Sequence, residues 1–484
     1  MRGAAIAMTV AAAAVASAGA TLAEAAGWPQ SLQPPGFCVP APEDTAYIAR
    51  TVHALGVPAT STAPIAILDT GVDPSAPSLA GRVMPGFDAL TGQPWSGDPD
   101  GHGTEAAGIA AASGQGVLGV SPVSSVLPVR IYNADRATTA DAVAKGIGAA
   151  VQRGAGAIVI EGSGPLAGAS PADVVKLDKA IGDALVHGSL VIAGAGDDGT
   201  TDPTVPGSLP HVLTAGGSTP ANTRSATSNG GPWVDLVVPS DGISGPLPAA
   251  SCKFGFGFSN GTSFAAPSLG AAAALIMGQR PGLTPQQYFE LVRRAAVDLG
   301  PTGRDNETGF GLLDVAAGLA ATPQAKETSF EVDDDPYWVR GAYAKRHAPL
   351  LTKKKMRFKA IGSVSAAKDP ADVYPVQLLK RERMVVSVTA ANPGSLLELS
   401  ILDPRAGDFD ITNGVNRHRL LSTGGLSNAP QLELRAPRTG TYYIAVEASD
   451  AVDPEDPTFV PADADPYQLS AYKQRKKAKK VRKR

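Results

Sequence analysis

Asn260-Gly261-Thr262-Ser263-Phe264-Ala265-Ala266-Pro267-Ser268-Leu269-Gly270, continued by the apolar run 271–278, decides how the rest of the chain is read. A polar, Gly-containing turn runs into a small, apolar stretch long enough for a buried helix. Ser263 stands at the join. Unpaired N–H groups and the positive end of the dipole gather at a helix start. A serine there serves either as an N-cap of a core helix or as a nucleophile. The stretch alone leaves both open.

Outward from this helix, short apolar runs alternate with helical patterns. Ile65-Ala66-Ile67-Leu68 ends in Asp69-Thr70-Gly71, and His102-Gly103-Thr104 opens a small-residue helix over 105–112. Strands are expected at 126–131, 157–160, 190–193, 212–215 and 234–238, and helices at 44–55, 139–152, 172–186, 284–298 and 312–321. Thr284-Pro285-Gln286-Gln287 carries Pro at the first helical position and Gln three residues after the cap. Residues 85–101, rich in Gly, Pro and Asp, read as loop. This alternation predicts an α/β domain with a mostly parallel sheet covered by helices on both faces. In such sheets chemistry gathers at the carboxyl ends of the strands.

After Pro323 the pattern changes. Residues 327–335 are acidic and polar, and from about Met356 the apolar period shortens toward two. Strands are expected at 372–378, 384–389, 396–402, 431–435, 441–447 and 467–472, which together predict an all-β sandwich.

Residues 1–26 resemble a secretory signal: Arg2, an uncharged apolar run over 4–18, then small residues with cleavage candidates near Ala20 and Ala25. An uncleaved anchor is the alternative, against which the run is short and Ala-rich. No later stretch of 18 apolar residues occurs, so no transmembrane segment is expected and the protein is placed outside the cytoplasm, secreted or associated with the envelope. In that compartment the two cysteines, Cys38 and Cys252, are expected to form one bridge, with two buried thiols as the alternative. Net charge is −3, but charge is unevenly spread. Residues 27–322 hold 24 acids against 14 bases, whereas 473–484 hold nine bases and no acid.

Asp69, His102 and Ser263 supply what nucleophilic acyl transfer needs. A serine is a poor nucleophile until a base takes its proton. A histidine does so near neutral pH, and a buried carboxylate fixes its tautomer. With their flanks, Ile67-Leu68-Asp69-Thr70-Gly71-Val72-Asp73, Asp100-Gly101-His102-Gly103-Thr104 and Gly261-Thr262-Ser263-Phe264-Ala265-Ala266-Pro267, and in this order, they resemble the subtilisin-like (subtilase) serine peptidases. Ser228-Asn229-Gly230 and Gly309-Phe310-Gly311 extend the resemblance over about 44–321. It implies a secreted serine endopeptidase acting on protein or peptide. Asp69 would orient the base, His102 act as general base and acid, and Ser263 form the acyl-enzyme. The family's substrate-binding segment falls on Ser163-Gly164-Pro165, with Gly194 nearby, and no cofactor is required.

Two departures stand out. Asp197, in Ala195-Gly196-Asp197-Asp198-Gly199, occupies the place of the family's oxyanion-hole asparagine, beside Ser263. An ionised carboxylate donates no hydrogen bond and repels the oxyanion, by roughly 5 kcal/mol at 3 Å and a dielectric near 20. Either Asp197 works protonated, or the loop shifts to bring another donor in, or the chain is a pseudopeptidase or a peptide- or surface-binding protein with little turnover. Second, only about 43–48 residues lie between the signal and Asp69, too few for an inhibitory pro-domain. Glu105, where the family commonly has a second histidine, is read as structural.

The C-terminal part resembles the bacterial pre-peptidase C-terminal β-sandwich, through Asp333-Asp334-Asp335-Pro336, Gly362-Ser363-Val364-Ser365, Asp369-Pro370-Ala371-Asp372-Val373-Tyr374 and Gly440-Thr441-Tyr442-Tyr443-Ile444-Ala445-Val446. The expected organisation is a signal peptide (1–26), a peptidase domain (27–322), a linker (323–335), a β-sandwich (336–474) and a basic tail (475–484). The Asp clusters are either Ca²⁺ ligands or solvated turn acids; the metal content is otherwise unknown. The tail is either an anchor to anionic envelope polymer or a solubilising end. A monomer is expected.

Overall fold

The structure, a computed structural model, describes residues 30–31, 36–58, 62–301, 303–323, 338, 343, 349–365, 371–404, 420–448 and 465–474. The signal segment, the basic tail, the linker acids Asp333–Asp335 and Asp369 lie outside the described residues.

The first unit is built on an eight-stranded sheet. In chain order its strands are β1 (Ile65–Asp69), β2 (Gly86–Asp88), β3 (Gln93–Trp95), β4 (Val126–Arg130), β5 (Ala157–Ile160), β6 (Leu190–Gly194), β7 (Val212–Ser218) and β8 (Leu236–Pro239). Across the sheet they run β8-β7-β6-β5-β1-β4-β2-β3. All pairs are parallel except β2 with β3. The central strands are continuous apolar runs because both faces are covered. Leu68 of β1 lies against Gly146 of α2 (Ala140–Gln152), and α3 (Pro171–Val186) packs beside α2. On the other face lie α1 (His102–Ala111) and α4 (Thr262–Gln279).

Helix α4 is the unit's central rod, buried from Thr262 to Ile276. A helix apolar all round belongs inside a domain, which is why its sequence shows no polar face. Small residues let it approach the sheet: a Cβ at Gly270 would stand 2.3 Å from Val159 Cγ2. The following helix α5 (Pro285–Arg294) begins with the expected capping box, in which the Thr284 side chain accepts from the Gln287 N–H and the Gln287 side chain accepts from the Thr284 N–H.

Residues 85–101 correct the expectation of loop, since β2 and β3 lie there. Each is three residues long, too short for a period-two pattern to stand out among Gly, Pro and Asp. The 44–55 helix shortens to Tyr47–Thr51. Trp338 and Tyr343, read as the start of the second unit, are buried in the core of the first. Trp338 stacks on His211 at 4.7 Å and donates Nε1–H to Glu290 at 2.9 Å.

The C-terminal residues form two four-stranded antiparallel sheets. One holds β9 (Arg357–Val364), β16 (Asp465–Gln474), β11 (Arg383–Ala390) and β14 (Gln431–Arg435). The other holds β10 (Ala371–Leu378), β15 (Gly440–Ala448), β12 (Leu397–Leu402) and β13 (Leu420–Ser427). Alternate residues of both, among them Phe358, Met384 and Leu469 with Tyr374, Leu399 and Ile444, meet in one buried core. Strands β9 and β13 fall outside the expected set. Asp372, one of the acids considered for Ca²⁺, is buried and accepts a hydrogen bond from the Tyr467 hydroxyl. Among the described residues no group of three or more His, Cys, Asp or Glu is placed to hold a metal, and no helix is long and apolar enough to cross a membrane.

Candidate active site

Strand β1 delivers Asp69 at its carboxyl end, under the start of α1. Oδ2 of Asp69 lies 2.7 Å from Nδ1 of His102, and both side chains are fully buried. The other oxygen accepts from Thr70 N–H at 2.5 Å. The approach is close because residue 103 is glycine: a Cβ there would meet the Gly71 carbonyl at 2.0 Å. Burial opposes a charged ring at His102, but the Asp69 carboxylate, with Glu105 and Asp100 adding to it, outweighs that cost, and the imidazole is held above its usual pKa.

Asp98 builds the turn that carries His102, a role the sequence reading missed. It accepts from Thr70 Oγ1 (2.8 Å), Gly101 N–H (3.0 Å), Thr104 N–H (2.8 Å) and Thr104 Oγ1 (2.7 Å). Thr70 therefore joins Asp69 to the helix that bears its partner. Burial pushes the Asp98 carboxyl up, against these hydrogen bonds.

Ser263 is the second residue of α4 and is buried. The ring of its neighbour Phe264 stands 5.2 Å from that of His102. Nε2 of His102 has no hydrogen-bond partner among the described residues and is the ring nitrogen left for Ser263. In the absence of substrate a serine–histidine bond is commonly long and tightens when substrate binds.

Asp197 lies in the turn after β6, at the same helix start. Its Oδ1 accepts from Thr262 N–H at 2.6 Å, and Thr262 Oγ1 accepts from Gly196 N–H at 3.1 Å. Burial raises the Asp197 carboxyl above its usual pKa, with the Thr262 hydrogen bonds pulling the other way. Gly261, at φ +132°, leaves room for it: a Cβ there would stand 3.2 Å from Asp197 Oδ2. Asn229 braces this turn, accepting from Asp198 N–H at 3.0 Å and Thr200 N–H at 3.1 Å.

The expected substrate segment is partly engaged by the protein itself. Gly164–Pro165 forms a short strand antiparallel to Thr204–Val205, so one of its edges is taken. Gly194 sits beneath α4, where a Cβ would lie 2.8 Å from Thr262 Oγ1. Its place is close packing of α4 on the sheet. Glu105 is buried and accepts from Ser259 Oγ at 2.6 Å and Gly36 N–H at 3.0 Å, tying the N-terminal arm to α1. The same arm is fastened by the Cys38–Cys252 disulfide and by pairing of Phe37–Val39 with Phe256–Phe258.

The arrangement joins a buried carboxylate–imidazole pair to a serine at a helix start, the constellation of nucleophilic acyl transfer. The model of the Subtilase family matches residues 60–311, just over half of the chain. Subtilisin BL from Lederbergia lenta is 29% identical over 255 residues, covering 52% of this chain and 89% of that protein. Thermitase from Thermoactinomyces vulgaris is 33% identical over 246 residues, covering 50% and 84%. The crystal structure of a lanthipeptide protease superposes with a TM-score of 0.51 at 22% identity, over 57% of this chain and 94% of that one, a likeness of fold.

Proposed function

The chain belongs to the subtilase family and is a serine peptidase, and from that premise we propose that it is a secreted endopeptidase acting through an acyl-enzyme on Ser263. His102 takes the Ser263 proton through Nε2 and returns it to the leaving amine. Asp69 holds the ring by Nδ1 and stabilises the imidazolium. The observation that carries this reading is the buried 2.7 Å Asp69–His102 pair beside the start of α4.

The oxyanion of the tetrahedral intermediate forms at the start of α4, near the Ser263 N–H and Asp197. Asp197 serves there in its protonated form, with Oδ1 held by Thr262 N–H and an O–H on Oδ2 available to the oxyanion. Its burial supports that state. Ser163, Gly164 and Pro165 present backbone to an extended peptide. Export is supported by the composition of residues 1–26, and the bridged cysteines suit an oxidising compartment.

The two C-terminal sheets act as a pre-peptidase C-terminal-like β-sandwich that, with the basic tail, retains the enzyme on anionic envelope polymer. Lys354, Arg357 and Lys473 line one cleft of that unit. Lys473 itself pairs with Glu382 at 3.1 Å, so the charge offered to a polyanion resides chiefly in the eight bases of 475–484.

The test is labelling by a serine-reactive phosphonate across pH, with Ser263→Ala as control. Labelling that depends on Ser263 supports the reading. Its absence at every pH leaves a binding protein without turnover.

A further inference from the structure

Glu161 follows directly on β5 and is fully buried, and neither carboxylate oxygen has a hydrogen-bond partner among the described residues. Its place is set by register. Leu68 and Ala193 both pair with Ile160, and Glu161 N–H donates to the Leu68 carbonyl at 3.1 Å. One residue on, Asp69, Glu161 and Gly194 stand in a row across three adjacent strands. Side chains of one row share a face. That face is the one covered by α1 and α4: Val159, two residues before Glu161, lies under Gly270, Asp69 meets α1, and Gly194 meets Thr262. Glu161 is therefore under the catalytic helices, between the Asp69–His102 pair and the nucleophile's helix start.

Few groups face it. Strand β1 contributes Asp69, and the turn after β6 contributes Asp197. Tyr132, after β4, donates its hydroxyl to the Glu161 carbonyl oxygen at 2.7 Å rather than to the carboxyl. From α1, His102 is turned to Asp69 and Glu105 to Ser259. Helix α4 has no ionisable side chain, and its first N–H is committed to Asp197. Among the described residues of these elements no cation meets Glu161, and two acids do.

We propose that Glu161 is a positioning residue that holds a proton beneath the site, so that no second charged carboxylate stands beside Asp69 in the row during acyl transfer, and that losing this proton slows the site. Burial, then Asp69 and Asp197, push its carboxyl well above the usual range. A second buried negative charge next to Asp69 opposes the oxyanion, slowing acylation by roughly tenfold or more. The enzyme then has an alkaline limb set by a residue that never touches substrate. The proposal rests on acylation of Ser263.

The experiment compares parent and Glu161→Gln, each also with Asp197→Asn so that the titration of Asp197 is removed. Phosphonate labelling rate, normalised to each variant's maximum, is followed against pH together with Tm. In the Asp197→Asn background, where Asp197 no longer sets the limb, the alkaline limb is expected to move up by at least about one pH unit in Glu161→Gln. A folded pKa raised above the ordinary value of 4.5 means that stability is lost as pH rises from there through the folded pKa. The Tm advantage of Glu161→Gln is therefore expected to grow as pH rises above about 5, by about 5 °C or more. A limb that stays in place in the Asp197→Asn background while the parent labels overturns the proposal, as does a Tm difference independent of pH. A parent that never labels removes the peptidase reading instead, and the Tm series still decides whether Glu161 holds its proton. Glu161→Leu, apolar and of similar size, carries the same two measurements should Glu161→Gln not fold.

Discussion

Asp197→Asn exchanges an ionisable carboxyl for an amide of the same shape at the oxyanion's side of Ser263. In the parent, Oδ1 is fixed by Thr262 N–H at 2.6 Å, and the amide keeps an oxygen acceptor for that bond. The other position changes from an O–H that is lost on ionisation to an N–H that is not. Two effects set the magnitude. Losing one oxyanion-hole donor costs about 10²–10³ in rate in this family. A charge at 3 Å adds repulsion of up to roughly 5 kcal/mol at a dielectric near 20. Asp197 is partly exposed, so solvent screens much of that repulsion, and the lost donor is the better guide. Partial burial still raises the Asp197 carboxyl. Below its pKa the parent donates as the amide would; above it the parent loses the donor. Asp197→Asn is thus expected to change peptide hydrolysis by less than about tenfold at the acid end of the active range and to raise it by about 10²–10³ toward the alkaline end. The assay is kcat/KM on a chromogenic peptide across pH, with active enzyme counted by phosphonate titration. A ratio of variant to parent that is flat across pH refutes the reasoning.

Cys38 and Cys252 close a loop over a sequence separation of 214 residues. Replacing both by Ser is expected to cost about 5 kcal/mol in the chain-entropy account, read as a lower urea midpoint with a steeper slope, because the uncrosslinked unfolded chain exposes more surface. A midpoint within error of the parent would show that Glu105 and the strand pairing hold the arm unaided. Neutralising the eight bases of 475–484 to Gln in the full chain is expected to abolish salt-sensitive retention on a polyanionic resin while leaving peptide hydrolysis in place. Retention equal to the parent's removes the tail from the account.

Much of the site was legible because its chemistry is local in sequence. Asp69 follows an apolar strand, His102 opens a helix, and Ser263 sits where a polar turn meets an apolar run. The structure brings the first two together at 2.7 Å and sets Phe264, next to Ser263, against the histidine ring. The capping box at Thr284 was equally plain, since its partners are three residues apart. What was not legible depends on contacts between distant segments. Asp98 looked like one acid of a loop, yet it ties Thr70 to Thr104. Glu161 stands just past the end of an apolar strand, and only the register across β1, β5 and β6 puts it beneath α1 and α4. Gly194 lies under Thr262, a close packing that nothing in its local pattern announces. Trp338 carries no signal of its docking beside His211 and Glu290, because nothing in the local pattern names partners so far away along the chain.

The most direct test of the account is the pH profile of phosphonate labelling in the full-length protein. The account predicts labelling that is lost in Ser263→Ala, rises with pH as His102 gives up its proton, and falls again on the alkaline side. Labelling that persists in Ser263→Ala, or none in the parent at any pH, contradicts it.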